Sequence, residues 1–240
     1  MKKLILGAAM LALSTGLAMA QTVRMGTEGA YPPYNFINDA GEVDGFERQL
    51  GDELCKRAGL TCTWVTNDWD SIIPNLQSGN YDAIIAGMSI TAERAKVIGF
   101  TEAYFPPAAS AYAALSADAD IKAGTVAAQT GTIQAGHVSE TGAKLLEFAT
   151  PDETVAAVRN GEADAVLADK DFLAPIVAES NGEMVFAGDD VKLGDGIGIG
   201  LRQSDTELKG KFDAAIQSVK ADGTLNAMIK QWFGENAATF

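Results

Sequence analysis

Apolar residues recur at two different spacings along this chain, and the alternation between them is its first structural signal. Short apolar runs bounded by turn residues predict strands at Thr22–Thr27, Thr61–Thr66, Asp82–Gly87, Gly124–Gln129, Leu145–Phe148, Asp164–Ala168 and Ile197–Leu201. Between them, apolar positions three and four apart predict helices over Phe46–Ala58, Trp69–Ser78, Ile133–Val138, Asp152–Asn160, Asp205–Lys220 and Leu225–Phe233. Strands alternating with helices predict an α/β fold with mostly parallel sheets.

One stretch echoes another. WDSIIPNLQSGNYDAIIAG (69–87) and PDETVAAVRNGEADAVLAD (151–169) share a helix start, an apolar helical face, a glycine turn, an Asp-Ala pair and a buried strand. A helix–glycine–strand unit is common in α/β proteins, but a true duplication means two similar lobes. Ligands of open α/β sheets bind outside the carboxyl ends of the strands, so two such ends facing one another make a cleft. Pro106-Pro107 followed by Ala108, Ala109 and Ser110 is a candidate crossover between lobes, and residues 188–196 (GDDVKLGDG) are the other. The expected division is residues 21–108 with 196–240 as a discontinuous first lobe, and 109–195 as a second lobe inserted into it.

The first twenty residues set the compartment. Met1-Lys2-Lys3, an apolar stretch from Leu4 to Leu17 and then Ala18-Met19-Ala20 follow the order of a secretory signal peptide cleaved after Ala20. The apolar run is too short to anchor a chain across a bilayer. No cysteine stands directly after the cleavage site, so a lipid anchor is not expected. Cys55 and Cys62 are the only cysteines. In an oxidising compartment a pair this close reads as a structural disulfide, contributing about 2–3 kcal/mol in the loop-entropy picture. The single histidine, His137, is distant in sequence, which leaves a zinc site without support. Without Lys2 and Lys3 the chain carries 16 basic and 32 acidic residues, a net charge of −16. That excess argues against nucleic acid or an anionic membrane surface as partner and is compatible with a cationic ligand, although a dispersed negative surface also simply keeps an exported protein soluble.

Several clusters could bind a small polar molecule. Thr27-Glu28-Gly29-Ala30-Tyr31-Pro32-Pro33-Tyr34 carries a strand into a stiff loop holding a carboxylate and two phenols; the plainer reading is a turn with surface aromatics. Gly87, Ser89 and Arg94 follow a buried strand. Gly87 admits close approach to the backbone, Ser89 or Thr91 can cap the next helix, and Arg94 can pair two-pronged with a carboxylate or stand in an ordinary surface salt bridge. Gln129-Thr130-Gly131-Thr132 ends a strand and opens a helix, offering N–H groups to an anion. Asp169, at the mouth of a strand, suits an ammonium group or is a plain loop acid. Trp69 is a core residue or a stacking platform. No nucleophile elbow, free Cys/His pair, phosphate loop or HExxH segment points to catalysis.

Together these segments resemble the family 3 extracellular solute-binding proteins of ABC importers, in particular the branch of lysine/arginine/ornithine-, histidine- and arginine-binding periplasmic proteins. The resemblance rests on GTEGAYPPYNF, GFERQLGDELCKRAGLTCTWV, WDSIIPNLQSGNYDAIIAGMSITAER, TGT, DAVLAD and ADGTLNAMIKQWFG in that order, and covers essentially all of the chain after the leader. It implies a two-lobed type II periplasmic-binding-protein fold with a two-crossover hinge, and a periplasmic protein that closes around a free, cationic amino acid or an opine-like derivative and delivers it to a membrane permease. It further implies a monomer, with no cofactor, no metal and no catalytic residue. Residue by residue it puts the ligand's α-carboxylate on Arg94 with amides near Ser89 and Thr132. The α-ammonium falls to Asp169 with Ser89 and the Gly87 carbonyl, and the side chain to Glu28, Tyr31 and Trp69. The family's short disulfide matches Cys55 and Cys62. An exported dehydratase-type enzyme on the same scaffold and the sensor domain of a receptor are the alternatives. Ala86 and Ile133 stand where basic-amino-acid relatives often carry hydroxyl groups, and the segment between Leu115 and Gly124 is shorter than theirs.

Overall fold

The computed structural model describes residues 21–240; the leader and its cleavage site lie outside the described residues. Two five-stranded sheets form the framework. The first has the spatial order Thr61–Thr66, Thr22–Thr27, Ala83–Ile84, Gly200–Leu201, Gly99–Phe100, and the second Lys144–Phe148, Thr125–Gln129, Ala165–Asp169, Ala109–Ala114, Val185–Lys192. In each sheet the first three strands run parallel and the fourth runs against both neighbours. That reversed strand is in both cases the one that arrives from the other lobe. The chain crosses twice: between Phe100 and Ala109, and between Lys192 and Gly200. Ile197 ties the two crossings together through bridges to Phe105 and Ser89. The fold is a two-lobed α/β architecture, each lobe built on one of the two sheets.

The echo in the sequence has a structural counterpart. Asp82 donates its N–H to the Arg24 carbonyl (2.9 Å) and its carboxylate accepts the Arg24 N–H (3.0 Å). Asp164 repeats this with Thr125, at 2.8 and 2.7 Å. Each aspartate thus starts its strand in register beside the first strand of its own sheet, with Met25 opposite Ala83 and Val126 opposite Ala165. The preceding turns use Gly79 and Gly161 at φ +80 and +76, a region where only glycine is unstrained.

The helix Phe46–Arg57 packs its Phe46, Leu50 and Leu54 face onto the first sheet, and the C-terminal helices Thr206–Ala221 and Thr224–Phe233 close over it with Phe212, Ile216, Val219, Leu225 and Ile229. Each such side chain, fully buried, contributes about 1.5–3 kcal/mol. The Cys55–Cys62 disulfide spans Cα atoms 6.2 Å apart and fastens the end of that first helix to the edge strand.

Some elements differ from the sequence expectation. Asp82–Gly87 is strand only over Ala83–Ile84, because Gly87 at φ +61 turns the chain toward the site. Trp69–Ser78 is a 3-10 turn at Trp69–Ser71 continued by α-helix Ile72–Gln77. Ala109–Ala114 is an interior strand of small side chains apart from the buried Tyr112, and Val185–Lys192 is an edge strand whose register shifts between Ala187 and Val191. Residues 188–192 of the expected second crossover therefore belong to the sheet. Helix Lys170–Glu179 carries Pro175 inside it, and a small antiparallel sheet (Ala30–Tyr31, Asn35–Ile37, Val43–Asp44) covers the start of the first helix; neither was expected.

Candidate functional site

Four chain segments leave the carboxyl ends of parallel strands at one place: Glu28 after Thr22–Thr27, Gly87 after Ala83–Ile84, Gln129 at the end of Thr125–Gln129 and Asp169 at the end of Ala165–Asp169. The first two come from the first sheet and the last two from the second. They bound a small cavity between the lobes, lined by all eight residues singled out from the sequence (Glu28, Tyr31, Trp69, Gly87, Ser89, Arg94, Thr132, Asp169) together with Ala86, Gln129, Ile133 and Gln134.

Arg94 lies on the one-turn helix Ala92–Ala95, whose cap is Thr91: its hydroxyl accepts the Arg94 N–H at 3.2 Å. The guanidinium donates to the Ser89 carbonyl (2.9 Å) and, across the cleft, to the Gly131 carbonyl (3.3 Å), and stacks 5.2 Å from the Trp69 ring centroid. The surface salt bridge open to it in the sequence goes elsewhere, since Glu93 pairs with Lys96 at 2.6 Å. Burial lowers the Arg94 guanidinium to about 10, against the opposing charge of Asp169. Trp69 therefore stacks on a protein cation and forms one wall of the cavity.

Asp169 is a buried acid, only 9% exposed. Its carboxylate accepts the Tyr31 hydroxyl and the Gln134 side-chain amide, both at 3.0 Å, and its N–H donates to the Tyr31 oxygen at 3.1 Å. Burial raises Asp169 to about 6; Asp171 adds to the rise, while Tyr31, Arg94 and Gln134 oppose it. Tyr31 itself lies face to face with Phe172, centroids 4.4 Å apart. At the other end of the cavity Glu28 accepts the Gln129 side-chain amide at 2.5 Å. Burial pushes Glu28 up to about 7, opposed by that hydrogen bond and reinforced by Asp68 and Asp152.

Thr132 caps the helix Ile133–Ser139, accepting the Ala135 N–H at 3.1 Å, and donates to the Gln129 carbonyl at 2.7 Å. Ala86 and Ile133 make two apolar patches of the lining where hydroxyl groups were expected in relatives. Three contributors were not singled out from the sequence as side chains. Gln129 was read only for its backbone. Gln134 reaches both Asp169 and the Ser110 hydroxyl, each at 3.0 Å. Glu47, fully buried, accepts the Gly87 N–H at 2.6 Å from beneath the site. Among the described residues no group of three or more His, Cys, Asp or Glu side chains is placed to hold a metal ion.

A cleft whose two lobes offer a cation and an anion to one enclosed space defines a small-molecule binding protein. The sequence profile of the bacterial extracellular solute-binding proteins, family 3, matches residues 23–235, and the chain belongs to that family. It is 34% identical over 262 residues to the lysine/arginine/ornithine-binding periplasmic protein of Escherichia coli K12, an alignment covering 98% of both chains. Among solved structures it superposes on a periplasmic His/Glu/Gln/Arg/opine family-binding protein from Silicibacter pomeroyi in complex with lysine, with TM-score 0.90 and 75% identity, covering 91% of this chain and 100% of that one. An ancestral arginine-binding protein bound to arginine gives TM-score 0.83 at 32% identity, covering 90% of this chain and 100% of that one.

Proposed function

We propose that this protein is the periplasmic, substrate-binding component of an ABC amino-acid importer, closing around a free cationic amino acid of the lysine, arginine, ornithine or histidine class, or an opine-like derivative, and presenting it to a membrane permease as a monomer. The observation that carries the reading is the placement of Arg94 and Asp169: a guanidinium with no salt bridge among the described residues, from one lobe, and a buried carboxylate from the other border the same cavity. A zwitterion drawn into such a space loses its water, so both its charges need partners there. Arg94 receives the α-carboxylate, with backbone groups of Ser89 and Thr132. Asp169 receives the α-ammonium, with Ser89 and the Gly87 backbone. Glu28, at the far end, takes the distal cation in place of the Gln129 amide, beside Tyr31 and Trp69. Such a ligand touches both lobes only when the cleft is shut, and its binding energy therefore favours closure.

The lobe division that fits this role is 21–108 with 196–240 as one body and 109–195 as the other. Two lines of support come from relatives: the 75%-identical structure holds lysine, and the Escherichia coli relative is a binding protein for lysine, arginine and ornithine. With no nucleophile or acid–base pair marked in the sequence, binding rather than turnover is the role proposed, and no cofactor is required for it. Calorimetry of purified protein against the twenty amino acids and ornithine tests the proposal. Tight binding confined to cationic members supports it, whereas preference for leucine or glutamate over every cationic one would reject the role of Glu28.

A further inference from the structure

Glu47 falls on the buried side of the helix Phe46–Arg57, three and seven residues before Leu50 and Leu54. Its place is set by how that helix begins. The Phe46 and Glu47 N–H groups donate to the Pro33 and Tyr34 carbonyls at 3.0 and 2.8 Å. Gly45, at φ +113, makes the entry, and a Cβ there would lie 2.6 Å from the Tyr34 carbonyl oxygen. The carboxylate so placed is fully buried, and the groups that bond it are all neutral donors from three separate segments. Gly87 N–H meets Oε1 at 2.6 Å, the Tyr104 hydroxyl donates to the same oxygen, and Asn35 Nδ2 meets Oε2 at 2.7 Å. Asn35 in turn accepts the Gly29 N–H at 2.7 Å through its other end. Gly29 adjoins Glu28, Gly87 lines the cavity, and Tyr104 lies on the first crossover.

We propose that Glu47 is a positioning residue for ligand binding, one buried carboxylate that fixes the Glu28 loop, the Gly87 turn and the first crossover against one another. The chemistry requires a carboxylate. An amide at this position would set its NH₂ against Asn35 Nδ2, donor against donor, and Asn35 cannot turn over without releasing Gly29. An apolar side chain would leave three buried donors unpaired. The two loops that face the ligand from the first lobe are therefore set in place before the cleft shuts, and ordering them is not charged to the binding step. The role rests on the cavity being the amino-acid site.

Titration calorimetry with lysine and with norleucine, its uncharged analogue, alongside ligand-free thermal unfolding, tests it on wild type, E47Q, N35D/E47Q and Y104F. E47Q is expected to lose at least about tenfold in lysine affinity and to narrow the preference for lysine over norleucine. In N35D/E47Q the new carboxylate at position 35 accepts from Gly29 and from the new amide at position 47, whose oxygen keeps Gly87 and Tyr104. That swap is expected to return affinity to within about threefold of wild type. Y104F, nearly isosteric and expected to fold, should weaken both ligands evenly, by about threefold. A carboxylate that only stabilised the fold would lower the unfolding midpoint and leave affinity and preference unmoved. E47Q within about twofold of wild type, an N35D/E47Q protein that is unfolded or no better than E47Q, or unchanged Y104F each overturns the role. Wild-type protein that binds no amino acid overturns the functional reading and this role with it.

Discussion

The Tyr31 hydroxyl and Asp169 exchange two hydrogen bonds across the cleft: the phenol donates to the carboxylate at 3.0 Å and accepts the Asp169 N–H at 3.1 Å. One residue comes from the short strand Ala30–Tyr31 that follows the first strand of lobe one, the other from the end of a strand in lobe two. The Tyr31 ring is pressed flat on Phe172. Closure is thus held in part by the protein's own groups at the point where an ammonium would be received.

Removing that hydroxyl leaves a buried carboxylate short of one donor. Tyr31→Phe is expected to lower ligand affinity about tenfold, chiefly through faster dissociation, as a hydrogen bond to a charged group contributes about 1.5–3 kcal/mol. Stopped-flow fluorescence, with equilibrium titration beside it, reads the two rates.

Arg94→Ala strikes the only cation that borders the cavity among the described residues. With the ligand's carboxylate enclosed and unpaired, affinity is expected to fall at least about a hundredfold. The far-ultraviolet spectrum of the variant should match wild type, since the guanidinium's own bonds go to two carbonyls rather than to the core.

Glu28→Gln keeps the shape of the far end and removes its charge. Cationic ligands are expected to weaken by tenfold or more, by about 1.5 kcal/mol, while uncharged amino acids change little. A competition series of lysine, norleucine and glutamine measures the split.

The pH dependence has a definite sign. Burial raises Asp169 to about 6 and Glu28 to about 7, so Glu28 is partly protonated near neutrality and both groups hold protons below about pH 6. A cation seated against them favours the ionised forms, so lysine binding should release protons between about pH 5 and 8, and affinity should rise with pH over that window and level off above it. For the ligand-free protein the same raised values act the other way. The folded state binds more protons than the unfolded chain, so stability from these two groups falls as pH rises from the ordinary carboxylate range through about 6 to 7. Calorimetry in two buffers of different ionisation enthalpy counts the protons.

Replacing both Cys55 and Cys62 by serine should cost about 2–3 kcal/mol of unfolding free energy. The disulfide joins a helix end to an edge strand outside the cavity lining, so lysine affinity is expected to stay within about twofold of wild type.

Where apolar periodicity was strong, the elements could be read directly: Thr22–Thr27 and Thr61–Thr66 have the bounds the pattern predicts. Ala109–Ala114 was illegible because ASAYAA, although held between two neighbouring strands, has none of the β-branched residues that mark strands. GDDVKLGDG resembled a loop because its register shift uses Gly188 at φ +68 inside a strand. Arg94 and Asp169 could be picked out because each follows soon after a buried apolar run, although each was equally open to a plain surface reading. Gln129, Gln134 and Glu47 did not, since an amide or acid next to a helix start looks the same whether it faces water or the interior. For Glu47 a faint mark existed: it shares the spacing of Leu50 and Leu54, an acid on an apolar stripe.

The strand Gly200–Leu201 lies between Ala83–Ile84 and Gly99–Phe100, while every strand of the other sheet comes from residues 109–192. As the polypeptide emerges, the portion that begins first is therefore completed last. Its sheet stays open, and its helical cover absent, until the final forty or so residues arrive, whereas the inserted portion has everything it needs well before the end.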